Sequence, residues 1–173
     1  MARDVKSPGY LAHLIAGWIP ALEGVQAKLV RGAKVADVGC GAGASTITMA
    51  EAFPRSRFFG FDVDALSIET ARERAQQAGV ADRICFEVAG ATDYPGTGYE
   101  LVAHFDCLHD VADSTAAARY VRKTVTPDGT WMIVESFATE RETRLRSVVT
   151  DGGFTRFRRA TNTRFDLVLE ARP

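Results

Sequence analysis

The chain has 173 residues, the size of one domain, and a chain of this length buries close to 70% of its unfolded surface around a single core. With 46% hydrophobic residues, 25% charged residues and 15 glycines it is neither collagenous, low-complexity nor disordered in bulk. A formal net charge of -1 leaves no overall field to recruit nucleic acid or an anionic membrane.

Ser7 and Pro8 form a cap and first-turn pair, and Leu11, Leu14, Ile15, Trp18, Ile19, Leu22, Val25 and Leu29 follow at helical spacing. Pro20 lacks the amide that would bond backward, so a break or kink is expected there, with a second helix reaching Gly32. KVADVG is an apolar strand that stops at a glycine cluster, after which Ala44 to Phe53 resumes helical spacing. The alternation repeats with FFGFDV as strand, Asp64 to Gly79 as helix and ICFEVA as strand. YELVAHF is a fourth strand, Asp113 caps a helix reaching Val125, and TWMIVESF is a fifth strand after the turn at Pro127, Asp128 and Gly129. A short helix around Leu145, Val148 and Val149 ends at Gly152 and Gly153, and FTRFRRAT with FDLVLEA forms a hairpin around Asn162. Residues 141 to 173 carry eight arginines against four acidic residues, which a solvated strand face explains.

Five strand and helix alternations followed by an antiparallel pair predict an α/β fold: a doubly wound, Rossmann-like, mostly parallel seven-stranded sheet with a reversed C-terminal strand and helices on both faces. N-terminal helices over 1–32 and a core over 33–173 make one domain. Cys40, Cys85 and Cys107 are an odd number without metal-ligand spacing, so neither a disulfide framework nor a metal site is expected, and a reduced cytoplasmic setting fits. MARDVKSPGY has no apolar leader and no segment approaches the length of a membrane span, so neither export nor anchoring is expected.

VADVGCGAGAS carries the most chemistry. Gly39, Gly41 and Gly43 occupy the turn between first strand and first core helix, where the chain turns sharply and a ligand approaches the backbone. The segment also satisfies G-x-G-x-x-A, so the loop alone leaves a dinucleotide open. Two aspartates tilt the choice. Asp37 lies two residues before the first glycine, and a carboxylate there suits a cation better than a pyrophosphate. Asp62 ends the second strand, where an acceptor can take hydrogen bonds from ribose hydroxyls, a shared feature that indicates a nucleoside and not which one.

DVGCGAG with FGFD downstream resembles the class I S-adenosylmethionine-dependent methyltransferases over about residues 30 to 137. The resemblance implies S-adenosyl-L-methionine as cofactor, with Asp37 near the methionine ammonium, Gly39 and Gly41 under the methionyl portion, Asp62 at the ribose hydroxyls, and Cys40, Gly43 and Val63 among the cofactor-binding residues. It places Gly90 and Ala91 beside the adenine and Phe105 and Asp106 at the end of the fourth strand. The family often has a carboxylate after the third strand, where EVAGAT has Gly90, so a carboxylate introduced at 90 is expected to tighten cofactor binding. FDCLHDVAD resembles O-methyltransferases in its L-H-D portion, which makes His109 the candidate base for an acceptor hydroxyl and Asp110 its neighbour; packing against the next helix is the alternative role for His109. His13 and His104 are assigned to surface or core.

The wider arrangement is similar to bacterial small-molecule methyltransferases that carry a winged-helix domain, and the chain has no such segment. Only the seven residues Ala138 to Arg144 separate the fifth strand from Leu145, where that group inserts helices over the acceptor. Either the N-terminal helices around Tyr10, Leu14 and Trp18 close the cleft, or it stays open; ordinary core packing of their stripe favours the open form. The expected partner is a small-molecule methyl acceptor, with no membrane, no nucleic acid and room for a homodimer through the N-terminal helices. A non-catalytic cofactor-binding domain and an NAD-dependent oxidoreductase are the rival readings.

Overall fold

A computed structural model describes residues 8–137 and 139–173. Ser7 and Ala138 lie outside the described residues. The chain opens with α1 (Pro8–His13), a π-helical turn (Leu14–Trp18) and α2 (Ile19–Ala21), followed by α3 (Val25–Arg31). The break or kink expected at Pro20 is met by a wide turn immediately before the proline, which makes room for its ring against the preceding carbonyls, and the helix ends one residue beyond it at Ala21.

β1 (Lys34–Val38), α4 (Ala44–Ala52), β2 (Arg57–Asp62), α5 (Ala65–Gln77) and β3 (Ile84–Val88) form the first half of the sheet. β4 (Tyr99–Phe105), α6 (Ser114–Thr124), β5 (Val125–Ser136), α7 (Thr139–Asp151), β6 (Arg156–Asn162) and β7 (Asp166–Arg172) complete it. The order is β3-β2-β1-β4-β5-β7-β6. The first five of these are mutually parallel, while β7 runs antiparallel to both its neighbours.

Asp64 and Asp113 cap α5 and α6 by accepting from Ser67 and Ala116 amides. Two local differences follow from tertiary pairing. β5 begins at Val125, which pairs with Tyr99, so the Pro127-Asp128-Gly129 turn is carried within the strand as an irregularity. α7 begins at Thr139, so the seven residues expected as a connector are mostly its first turns.

One face of the sheet packs Leu14, Trp18, Ile19, Leu29, Ile47, Met49, Ile68 and Ala71 from α1 to α5. The other packs Ala117, Val121, Leu145 and Val149 from α6 and α7. The N-terminal stripe is therefore spent on the chain's own sheet, and a homodimer contact through these helices would have to use their polar side. Among the described residues no helix is long and apolar enough to cross a membrane.

His104 sits wholly inside this frame on β4. Its Nδ1 accepts from Trp131 Nε1 at 3.0 Å, and burial pushes its pKa down to about 3. Below the ordinary value of 6.5 the unfolded chain takes up a proton that the folded one refuses, so this residue contributes a loss of stability as pH falls from about 6.5 toward about 3. His104→Gln keeps an acceptor for Trp131 and removes the titration; its thermal midpoint should fall less than that of the parent between pH 6.5 and 4.

Candidate active site

β1 has β2 on one side and β4 on the other, so the chain leaves the sheet centre in opposite directions and a crevice opens at the carboxyl ends of β1 and β4. The glycine loop lines it. Gly39, Gly41 and Gly43 all have positive φ, at 77°, 54° and 81°. They do different work. A Cβ at Gly39 would meet Cys107 Sγ at 2.7 Å and one at Gly43 would meet Phe86 at 2.7 Å, so these two allow close packing. A Cβ at Gly41 would meet nothing within 4 Å, which leaves open space over its backbone.

The loop is fastened below. Gly39 and Cys40 amides donate to the Phe61 carbonyl at 2.8 and 2.9 Å, with the Cys40 side chain buried in the core. Asp37 has no solvent exposure, and its Oδ2 accepts from Ser45 Oγ at 2.9 Å and Thr46 Oγ1 at 2.7 Å in the first turn of α4. Asp62 Oδ2 accepts from the Gly41 amide at 2.8 Å and Oδ1 from the Asp64 amide at 3.0 Å. A carboxylate has about four lone-pair directions, so Asp62 retains capacity for ribose hydroxyls.

Around Asp62 the surface is apolar. Val63 and Leu66 are 75% and 70% exposed, and Val88, the register partner of Asp62, is 54% exposed. Exposed aliphatic groups beside a hydrogen-bonding carboxylate fit a nucleoside. Only Val63 was legible in sequence. Beyond β3, the Gly90 amide donates to Asp93 Oδ1 at 2.5 Å, and Ala91 lies half-buried alongside. Asp93, three residues later, thus places a carboxylate beside Gly90. The open space at Gly41 and these donors and acceptors fit S-adenosylmethionine.

β4 ends with Phe105 packed in the core and Asp106 at φ 51°, a left-handed backbone that aspartate tolerates better than most residues. α1 brings Tyr10 to this end: its ring meets Trp18 edge-on at 4.6 Å. Burial, with Asp106, Asp166 and Asp37 nearby, drives the Tyr10 phenol well above its usual range. Leu14 and Trp18 are core, as their spacing predicts, but Tyr10 reaches the carboxylates of the crevice. His13 is exposed and stacks on Trp18.

His109 lies in the short turn Leu108–Asp110. Its Nδ1 is 2.6 Å from Glu135 Oε2, while Nε2 is 3.4 Å from the exposed Asp110 Oδ1. Glu135 was not singled out in sequence. It is buried at the end of β5, and its Oε1 accepts from the Leu108 and His109 amides at 3.0 and 3.3 Å. Burial raises its pKa and the His109 contact opposes that rise. Arg141 Nη1 adds a cation 3.4 Å from Oε2. An ionised Glu135 only accepts, so in that form it orients the ring with the Nδ1 hydrogen toward it.

The family model described as a methyltransferase domain matches residues 29–153. The 27-O-demethylrifamycin SV methyltransferase of Amycolatopsis mediterranei is 31% identical over 121 residues, 69% of this chain and 41% of that protein. Mitomycin 7-O-methyltransferase superposes with a TM-score of 0.74, with 18% identity over 95% of this chain and 55% of that one. A SAM-dependent methyltransferase from Aquifex aeolicus gives 0.72 at 14% identity, covering 95% of this chain and 97% of that one. The chain spans less than half the length of the curated relatives it matches.

Two substitutions test this geometry. Asp62→Ala removes a charged acceptor worth roughly 1.5 to 3 kcal/mol, so S-adenosylhomocysteine should bind about tenfold or more weakly by calorimetry. Gly90→Asp has no backbone obstacle, since its φ lies outside the left-handed region, but its Cβ would come 3.2 Å from Asp93 Oδ1. Two carboxylates would then crowd one place, and cofactor affinity should fall or stay level, in contrast to the tightening expected from sequence.

Proposed function

The chain belongs to the methyltransferase domain family, as a class I S-adenosylmethionine-dependent methyltransferase, and we propose that it methylates a hydroxyl of a small-molecule acceptor with His109 as general base. The observation that carries this reading is the 2.6 Å contact between His109 Nδ1 and buried Glu135. A lone histidine on a loop could be packing. One whose Nδ1 is held by an internal carboxylate, on a partly exposed ring with Nε2 beside the exposed Asp110, has the arrangement of a positioned base.

S-adenosylmethionine supplies a methyl group activated by a sulfonium charge. In this reading Asp37, Gly39 and Gly41 hold its methionyl end, Asp62 and Val63 its ribose, and Gly90, Ala91 and Asp93 its adenine. His109 Nε2 takes the proton of the acceptor hydroxyl as the oxygen becomes nucleophilic, and Glu135 stabilises the imidazolium that results. Tyr10 walls the crevice from the N-terminal side and limits water there. Three free cysteines support a reducing, cytoplasmic setting.

A second reading, a cofactor-binding domain without turnover, is favoured by one observation: α7 starts two residues after Phe137, leaving no inserted cover on that side. A labelled-methyl assay over a panel of phenols and hydroxy acids separates the two. Glu135→Gln should lower kcat by about 10-fold to 10²-fold with S-adenosylhomocysteine affinity unchanged, and His109→Gln should lower it further and abolish the acidic limb of the pH–rate profile. Turnover of His109→Gln at the parent rate would exclude it as the base, and absence of transfer by the parent protein to every acceptor would leave the binding-domain reading.

A further inference from the structure

The opposite end of the sheet carries a recess that the methyl-transfer site does not use. β1 and β2 both begin on a cation, and the two are register partners, Lys34 beside Arg57. Because side chains alternate along a strand, Arg57 and Phe59 share the face that Lys34 occupies. With Arg55 from the preceding turn they line, together with Gly32 and Ala33, a cavity of about 270 Å³.

These cations lack the carboxylate partner that six other arginines have among the described residues. Arg83, Arg141, Arg156, Arg158, Arg159 and Arg172 each pair with a carboxylate. Lys34 Nζ instead donates to the Thr97 carbonyl at 2.7 Å and lies 4.6 Å from the Tyr99 ring centre and 5.2 Å from that of Phe59. Arg57 Nη1 donates to the Asp82 carbonyl at 3.0 Å. Arg55 is exposed and has no ion pair among the described residues. The neighbouring acids are spent elsewhere: Glu100 Oε2 accepts from the Lys34 amide at 3.3 Å, and Asp82 pairs with Arg83 at 3.0 Å.

The recess is also held in shape. Buried Ser56 donates to the Leu29 carbonyl at 2.7 Å and accepts from the Ala33 amide at 3.0 Å, tying the end of α3 to the start of both strands. The Arg57 amide donates to the Ala33 carbonyl at 2.9 Å. Gly32 has φ 113°, and a Cβ there would stand 2.9 Å from the Arg55 carbonyl oxygen, so the two backbones meet closely. Fixed walls reduce the ordering cost of binding.

We propose that this recess binds the phosphate group of a small organic phosphate, with Lys34, Arg55 and Arg57 on the anion and Phe59 against its carbon part. Guanidinium donors match phosphate oxygens in pairs, and a lysine held by aromatic faces adds a fixed point charge. Phosphate is favoured over a carboxylate because three cations line the recess and none of the three has an ion pair among the described residues. The site is separate from the cofactor crevice, which lies at the carboxyl ends of the same strands.

Calorimetry at low salt with phenyl phosphate, inorganic phosphate and phenol tests it on the full chain. Phenyl phosphate should bind more tightly than inorganic phosphate, phenol should not bind, and preloading with S-adenosylhomocysteine should leave the affinity unchanged. Arg55→Glu, at an exposed side chain with no partner to lose, should weaken phenyl phosphate at least about tenfold, while Arg119→Glu on the exposed side of α6 should not. Absence of heat with either phosphate at millimolar concentration, loss of binding after S-adenosylhomocysteine, or indifference to Arg55→Glu overturns the proposal. A single-stranded oligonucleotide that binds far more tightly than phenyl phosphate and is weakened by the same variant overturns the small-molecule occupant in favour of nucleic acid.

Discussion

A carboxylate with no access to solvent sits beneath the glycine loop, and much of the crevice depends on how it is satisfied. Asp37 accepts from the hydroxyls of Ser45 and Thr46, so the last part of β1 and the first turn of α4 are bound through one side-chain oxygen. Charge-assisted hydrogen bonds of this kind offset the cost of burying the carboxylate and fix the geometry around it. With Gly39 and Cys40 amides on the Phe61 carbonyl, the loop has little freedom left except over Gly41. That is the place where the backbone is open to a ligand.

The fold was legible because its signals are local. Apolar runs separated by helical spacing mark each parallel strand, and Asp64 and Asp113 mark two helix starts by their own side chains. Asp37, Gly41 and Asp62 were legible for a similar reason: they lie at the turn and strand end that their own segment defines. Glu135 and Asp93 were not. Glu135 ends an apolar strand and gains its role from His109, 26 residues away in the chain, and nothing near it in sequence marks a buried acid. Asp93 looks like a loop residue until the chain folds back to put its oxygen on the Gly90 amide. The Pro127-Asp128-Gly129 turn misplaces a boundary because packing on the sheet outweighs the local signal there.

Parallel strands give the two ends of the sheet different chemistry. The carboxyl ends gather Asp37, Asp62, Asp106 and Glu135, and the reversed strand adds Asp166 to the same side through its pairing with Ser136. The amino ends of β1 and β2 carry Lys34 and Arg57. A near-neutral chain thus holds acidic and basic regions on opposite sides of one core, so its net charge of -1 says little about what each end attracts.

This separation bears on why a loop of the dinucleotide type serves a different ligand. The helix after such a loop points its positive end at the turn, which by itself favours an anion such as pyrophosphate. Here Asp37 lies under that end and takes up two hydroxyls of the first turn of α4, while Asp62 accepts the Gly41 amide that would otherwise face the ligand. Two carboxylates outweigh the roughly half charge of a helix terminus. Two carboxylates at this turn make it less favourable to an anion, and S-adenosylmethionine, with its ammonium and sulfonium, carries charge of the sign that suits them.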